Sequence, residues 1–140
     1  MKYFKKTVSA VFVAAAAIIA MASPALAGSP HFVGDPVVSV SGSTLTVSAK
    51  EAGLGNEAQI HVVLSGTATC VNPGGNEPKA ANKTAFTAAA DEPVQNGKSD
   101  YTLTATAVLS PSCDPPMTPV FTDVTLADTT SGLLELITVP

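Results

Sequence analysis

The 140-residue sequence has no tryptophan and no arginine, and it contains only two cysteines. All seven basic residues are lysines, and three of them lie within the first six positions. Residues 28–140 therefore carry four lysines against eleven acidic residues, a formal net charge of −7. Nucleic acids and anionic membranes are bound by clustered Lys and Arg side chains. This charge balance excludes both as partners of the region after residue 27.

Long hydrophobic runs are also absent after residue 27, but one precedes it. Residues 8–21 are uncharged, follow Lys2, Lys5 and Lys6, and are followed by Ala25-Leu26-Ala27. A basic start, a short apolar run and small residues before a cleavage point are typical of a signal peptide. The run of about 14 residues is shorter than the ~20 that a spanning helix needs. We expect residues 1–27 to be a signal peptide and residues 28–140 to form one domain, secreted to the periplasm or the exterior without membrane insertion.

The two cysteines, Cys70 and Cys113, both lie in the predicted mature region. An oxidising compartment favours their pairing. In the chain-entropy model, closing a loop of this length stabilises the fold by roughly 4 kcal/mol. A reactive thiol is the alternative, but neither cysteine has a C-x-x-C spacing or an adjacent cation. We therefore predict a Cys70–Cys113 disulfide that joins two loops at one rim of the domain.

The mature region reads as short strands separated by Gly and Pro. Residues 44–49 and 101–107 alternate small polar and apolar side chains, which is typical of strands with one buried face. Gly42-Ser43 and Asn96-Gly97 are signals for tight turns. The predicted strands are residues 37–41, 44–49, 58–70, 84–88, 101–107, 120–127 and 133–139, with residues 51–56, 110–119 and 128–132 as turns or loops.

Seven short strands in 113 residues predict an all-β fold. The favoured architecture is an immunoglobulin-like two-sheet β-sandwich, and a small Greek-key β-barrel is the alternative. Because tryptophan is absent, the core tryptophan of true immunoglobulin domains is missing.

One polar loop between predicted strands is unusually long. Residues 71–83 span about 13 positions without periodicity, and loops of this length are often functional. We predict that the backbone of two glycines and the side chains of three asparagines bind a ligand there, together with the Pro-rich residues 110–119 tied to them by the disulfide. A structural loop made of turn-forming residues is the competing interpretation. The predicted binding residues are Asn72, Gly74, Gly75, Asn76 and Asn82.

The segment Cys-Val-Asn-Pro-Gly-Gly-Asn-Glu-Pro at residues 70–78 resembles a loop in small exported bacterial β-rich proteins of unknown function, with the pattern C-V-N-x-G-G-N-x-P. The turn-forming segments 41–48, 53–56 and 94–97 add to the resemblance. It implies a secreted β-rich domain. It assigns no catalytic residue.

Catalytic and metal-binding patterns are scarce. His61 lies on the polar face of a predicted strand, where a solvated imidazole is the plain interpretation, and no Gly-x-Ser-x-Gly pattern accompanies it. The acidic residues are spread over loops without an Asp-x-Asp-x-Asp run, so we predict no metal site and no cofactor, with Ca²⁺ between loops as the alternative. Sugar-binding sandwiches usually expose a row of aromatic rings, whereas the mature region has only Phe32, Phe86, Tyr101 and Phe121.

The sequence therefore favours a secreted, non-catalytic binding module of the cell envelope or extracellular matrix. Its expected partner is an envelope or extracellular polymer or protein. Two alternatives remain open: an exported protease inhibitor that presents the Pro-rich loop around Cys113, and a small hydrolase that uses His61 with nearby acids.

Overall fold

The computed structural model describes residues 29–74 and 82–140. Eight β-strands occur in these ranges, which contain no helix long and apolar enough to cross a bilayer. The predicted signal peptide, residues 1–27, lies outside the described residues. The strands are β1 (His31–Phe32), β2 (Val37–Ser41), β3 (Thr44–Ala52), β4 (Gln59–Val71), β5 (Lys83–Pro93), β6 (Ser99–Thr106), β7 (Thr118–Asp128) and β8 (Leu133–Ile137).

The strands form two antiparallel sheets packed against each other. In sheet A, β3 is central: β6 pairs along one side of it, and β1 and β2 pair with successive parts of its other side. Sheet B has the order β5-β4-β7-β8. The predicted all-β sandwich is confirmed, and two separate sheets replace the barrel alternative. The described residues contain eight strands instead of about seven because the short β1 also pairs with β3.

The core lies between the sheets and follows the period of two in the sequence. Leu45, Val47 and Ala49 of β3 are buried, as the alternation predicts. Each fully buried aliphatic side chain of this size contributes about 1.5–3 kcal/mol through the hydrophobic effect. The facing strands supply Ile60, Val62, Leu64, Phe86, Phe121, Val124 and Leu126, and β6 supplies Tyr101, Leu103 and Ala105.

The pairing of β4 with β7 is interrupted at Gly66. The register shifts between Ser65 and Thr67, so that β7 contributes one extra residue. Asp123 takes up this bulge with a φ of 51°, a conformation that Asp tolerates better than most residues. Gly66 lies under the ring of Phe86, where an added Cβ would be 2.8 Å from the ring. Glycine is therefore required at this position for the aromatic side chain to enter the core.

The predicted disulfide is confirmed. Cys70, near the end of β4, is bonded to Cys113 in the segment between β6 and β7, with Cα atoms 5.6 Å apart. The predicted Asn-Gly turn also forms: Asn96 and Gly97 have φ values of 52° and 74°, as a type I′ turn requires. The disulfide joins two segments at one rim and does not cross the core.

Several predicted boundaries are wrong. Residue 51 was expected in a turn, but β3 continues to Ala52 because Glu51 pairs with both Phe32 and Ser99. Asp128 ends β7, where it pairs with Val62 and Leu133, instead of beginning a loop. β5 extends from Lys83 to Pro93 and pairs with β4 from Gln59 to Thr69. In each case pairing with neighbouring strands overrides a turn-like local composition.

Candidate functional site

The outer face of sheet A is a regular array of hydroxyl groups. Three rows cross β2, β3 and β6, and eight of the nine outward positions are Ser or Thr. We call these eight residues the hydroxyl face; Val37 occupies the ninth position. The face consists of Ser39, Ser41, Thr44, Thr46, Ser48, Thr102, Thr104 and Thr106.

Hydroxyl groups on β3 and β6 are hydrogen bonded to each other across the strands. Each hydroxyl has one donor and two acceptor lone pairs, so one donor per pair remains available after the cross-strand bond forms. The face thus offers both donors and acceptors to solvent or to a ligand. The bonded pairs are Thr44–Thr106 at 3.1 Å, Thr46–Thr104 at 3.4 Å and Ser48–Thr102 at 2.8 Å.

None of the nine positions is charged, although residues 28–140 carry a net charge of −7. Charge begins in the next row, where Lys50 Nζ lies 3.9 Å from Asp100 Oδ2. Beside this row is a depression of about 480 Å³, within the size range of small-molecule sites. Its lining combines the last hydroxyl row with charged groups: Val37, Ser48, Lys50, Glu92, Asp100 and Thr102.

The predicted binding loop lies at the opposite end of the strands from this depression. Asn72 follows β4 and Asn82 precedes β5; both are half-buried, and the pairing of Thr69 with Lys83 brings the two strand ends together. Gly74 is exposed. The remaining two predicted residues, Gly75 and Asn76, lie outside the described residues.

The hydroxyl face and the disulfide-linked rim meet at this end of the sandwich. Val40 of β2 lines a cavity of about 220 Å³ together with Pro119 and Val120 of β7. The Ser43 carbonyl accepts a bond from the Ala107 N–H at 2.8 Å, at the start of the segment that contains Cys113. The two surfaces are therefore neighbours.

His61 is paired with an acid that sequence reasoning did not identify. Its Nδ1 lies 2.7 Å from Asp91 Oδ1 on the neighbouring strand β5, and both side chains are about half exposed. Glu57, the acid nearest in sequence, is not its partner. Only the pairing of β4 with β5 could have shown this, because the two residues are 30 positions apart.

The His61–Asp91 pair supplies a base and an acid that orients it, as in a serine-type hydrolase. A serine-type hydrolase also needs a hydroxyl nucleophile that is hydrogen bonded to the other ring nitrogen. Within the described residues no hydroxyl nucleophile is hydrogen bonded to the ring, whose hydrogen bond is the one to Asp91. These residues also contain no group of three His, Cys, Asp or Glu side chains able to hold a metal ion.

The four aromatic side chains of residues 28–140 pack in or against the core. Phe86, Tyr101 and Phe121 are buried, and Phe32 packs against the core from β1. The rings of Phe86 and Phe121 meet edge to face at 5.4 Å between centroids. A sugar would therefore find no stacking platform made of these four rings.

A second polar cluster lies inside the sandwich. Glu51 of β3 and Asp128 of β7 are at most 1% exposed. The Tyr101 hydroxyl donates to Glu51 Oε1, and the backbone N–H groups of Thr130 and Ser131 donate to Asp128 Oδ1 at 2.9 and 3.1 Å. We call Glu51 and Asp128 the carboxyl pair.

Burial and the neighbouring acid shift the proton equilibria in this cluster. Desolvation is the main cause that raises the pKa of Glu51 from 4.5 to about 7. The bond from Tyr101 opposes this rise, whereas the hydrogen bond and the charge of Asp128 add to it. Desolvation, followed by the bond to Glu51, also raises the pKa of Tyr101 far above its usual value, so its hydroxyl remains a donor.

Comparison of the chain with known protein families, with curated proteins and with solved structures finds no match.

Proposed function

We propose that this chain is an exported, non-catalytic binding module of the cell envelope or extracellular matrix, and that the hydroxyl face is its contact surface. The main support for this proposal is the regular arrangement of Ser and Thr side chains on the hydroxyl face. Eight hydroxyl residues occupy adjoining positions on three strands of a strongly acidic domain. The Cys70–Cys113 disulfide agrees with an oxidising compartment outside the cytoplasm.

The ligand that this chemistry fits is a neutral, hydroxyl-rich polysaccharide. Strands are spaced about 4.8 Å apart and alternate residues about 6.8 Å apart, so the face presents a two-dimensional grid of donors and acceptors. Sugar hydroxyls are donors and acceptors as well. Anionic polymers are disfavoured by the acidic residues around the face, including Asp35 and Asp100.

Affinity must come from many weak contacts. A hydrogen bond to a ligand that replaces one to water contributes about 0.5–1.5 kcal/mol, and the described residues offer no aromatic stacking. A polymer that spans several rows, or several protein copies on one polymer, raises the effective affinity. We therefore expect measurable binding to extended polysaccharides and little to monosaccharides.

The test is co-sedimentation of the exported protein with insoluble neutral glucans. The face variant combines Thr44→Val, Thr46→Val and Thr104→Val, which remove hydroxyls but keep side-chain shape. The matched control carries Thr67→Val, Thr87→Val and Thr122→Val on the outer face of sheet B. We expect the face variant to bind at least about tenfold more weakly and the control to bind like the unmodified protein. Equal loss in both, or no saturable binding to any neutral polysaccharide, contradicts the proposal.

The predicted loop is a second part of the same surface. Asn72→Ala and Asn82→Ala change its described side chains at the rim that adjoins the face. If these variants abolish binding while the face variant retains it, the contact surface is the rim and not the hydroxyl face.

An exported protease inhibitor is the second candidate, supported by one observation. The segment around Cys113 is exposed over Ser110–Ser112 and Asp114–Pro116 and is fixed to the rim by the disulfide. Inhibition of a panel of secreted proteases tests this candidate. Cleavage of the segment without inhibition rejects it.

A further inference from the structure

The carboxyl pair leaves two buried oxygens without a donor. Glu51 Oε2 and Asp128 Oδ2 accept no bond from the described N–H and hydroxyl groups. The other oxygen of each carboxyl is satisfied, by Tyr101 and by two backbone N–H groups respectively. A buried charged oxygen without a partner costs several kcal/mol. Each of these two oxygens therefore needs a donor that the described N–H and hydroxyl groups do not supply.

A single proton satisfies both oxygens. Asp128 raises the pKa of Glu51 through a side-chain hydrogen bond and through its charge, so a proton on Glu51 can be donated to Asp128. Asp128 can act as the acceptor, because its Oδ1 already accepts two backbone N–H bonds and its Oδ2 is open to a third donor. Glu51 is then the carboxyl that holds the proton. Two neighbouring buried carboxyls resist ionising together.

A bound cation is the competing arrangement, and the described residues do not fit it. Ca²⁺ requires six to eight oxygen ligands, whereas only two oxygens are open here. No third acidic, histidine or cysteine side chain completes a metal-binding group within the described ranges.

The other titratable groups around the pair do not replace the proton. Glu92 of β5 adds negative charge near Tyr101, and Glu135 of β8 pairs with Leu126 on the same sheet. His61 of β4 is turned to the outer face, where Asp91 binds it. The charges on β3 and β6 next to the pair, Lys50 and Asp100, point outward to solvent. On β1, the His31 ring bonds the Ser29 carbonyl.

We propose that Glu51 and Asp128 share one proton and that this proton is a pH-sensitive clamp between sheets A and B. In acid the clamp joins β3 to β7. At neutral to alkaline pH the proton is lost, both carboxyls are charged, and the sheets separate more easily at this end. The exported domain would thus be most rigid in acidic surroundings.

The direction of the pH effect on stability follows from the thermodynamic linkage between proton binding and folding. The pKa of Glu51 is about 7 in the folded protein and 4.5 in the free side chain. Between pH 4.5 and pH 7, Glu51 therefore keeps its proton in the folded protein but has lost it in the unfolded chain. The stabilisation is complete below about pH 4.5 and is lost as the pH rises through 7. Between pH 5 and pH 8 the unfolding equilibrium constant should rise by on the order of 70-fold.

Urea unfolding followed by circular dichroism at pH 5, 6, 7 and 8 tests this proposal. Glu51→Gln places an amide where the protonated carboxyl stands, and Asp128→Asn supplies a donor to an ionised Glu51. We expect both variants to fold. Glu51→Gln should lose most of the pH dependence, whereas Asp128→Asn should lose only the part that the hydrogen bond and the charge of Asp128 add to the desolvation of Glu51. The matched control, Glu57→Gln, changes an exposed glutamate and should keep the full slope.

Three results would overturn the proposal. The first is an unmodified protein whose unfolding constant changes less than threefold between pH 5 and pH 8. The second is a Glu51→Gln variant that keeps the original slope or fails to fold, since Gln offers the donor and the acceptor that the clamp needs. The third is saturable stabilisation by Ca²⁺ that Glu51→Gln abolishes, which would assign the space between the carboxyls to a cation.

Discussion

Strands β3 and β6 carry polar side chains on both of their faces, and the two faces differ in energetic character. Outward, Thr46 and Thr104 form one of three exposed hydroxyl pairs. Inward, Glu51 and Tyr101 form a buried hydrogen bond, and Asp128 of the other sheet raises the pKa of Glu51. Both bonded pairs join the same two strands, yet water can replace the partners of the exposed pair and not those of the buried pair.

The comparison shows that burial, more than the number of hydrogen bonds, decides what a polar group contributes. An exposed hydroxyl that loses its partner bonds to water at little cost, whereas a buried carboxyl that loses its partner is left unsatisfied. The hydroxyl face is therefore free to exchange its partners for a ligand. The carboxyl pair instead couples the two sheets to pH.

The largest effect is expected for Asp128→Ala. This change removes the acceptor of two backbone N–H groups and the partner of Glu51 at once. We expect a loss of about 3 kcal/mol in the free energy of unfolding at pH 5, where the shared proton is in place. Urea denaturation measures it. A loss below 1 kcal/mol would mean that the buried cluster is no more important than a surface contact.

Tyr101→Phe should have an intermediate effect that depends on pH. The Tyr101 hydroxyl bonds Glu51 and lowers its pKa, so its removal disfavours the ionised carboxyl. Bonds to charged groups are worth about 1.5–3 kcal/mol and bonds to neutral groups about 1 kcal/mol. We therefore expect a larger loss of stability at pH 8 than at pH 5, measured by denaturation at both values. A loss that is equal at the two pH values contradicts a direct bond to the titrating group.

The smallest effect is expected on the outer face. Thr46→Val and Thr104→Val keep the β-branched shape, and water can satisfy the hydroxyl that remains. We expect each variant to change the free energy of unfolding by less than about 0.5 kcal/mol, with no dependence on pH between 5 and 8. A loss above 1.5 kcal/mol would show that the hydroxyl pairs are structural and would weaken their assignment to ligand binding.

The sequence predicted the parts of the fold that depend on local pattern. Strict alternation identified which of Leu45 and Thr46 faces the core, because one face of the strand is buried along its length. The Asn96-Gly97 turn was predictable because few other residue pairs adopt positive φ at both positions. The disulfide was predictable because two cysteines allow only one pairing.

The parts that were missed depend on distant residues. The Lys-Glu-Ala-Gly composition around Glu51 resembles a turn, and only pairing with β1 and β6 holds it in a buried strand. Its partner Asp128 belongs to the other sheet. The bond between His61 and Asp91 likewise depends on the register of β4 and β5. Side-chain contacts between strands so far apart leave no periodic signal in a single sequence.

The most direct test of the account is a titration of the side-chain carboxyl carbons of Glu51 and Asp128 by ¹³C NMR in the unmodified protein. Between pH 5 and pH 9 we predict one step at the Glu51 carbon, with a midpoint near pH 7. The Asp128 carbon should sense the same step because the two groups interact, and the step should be absent in Glu51→Gln. Independent titration of both carboxyls, complete below pH 5.5, would contradict the shared proton and with it the pH-sensitive clamp.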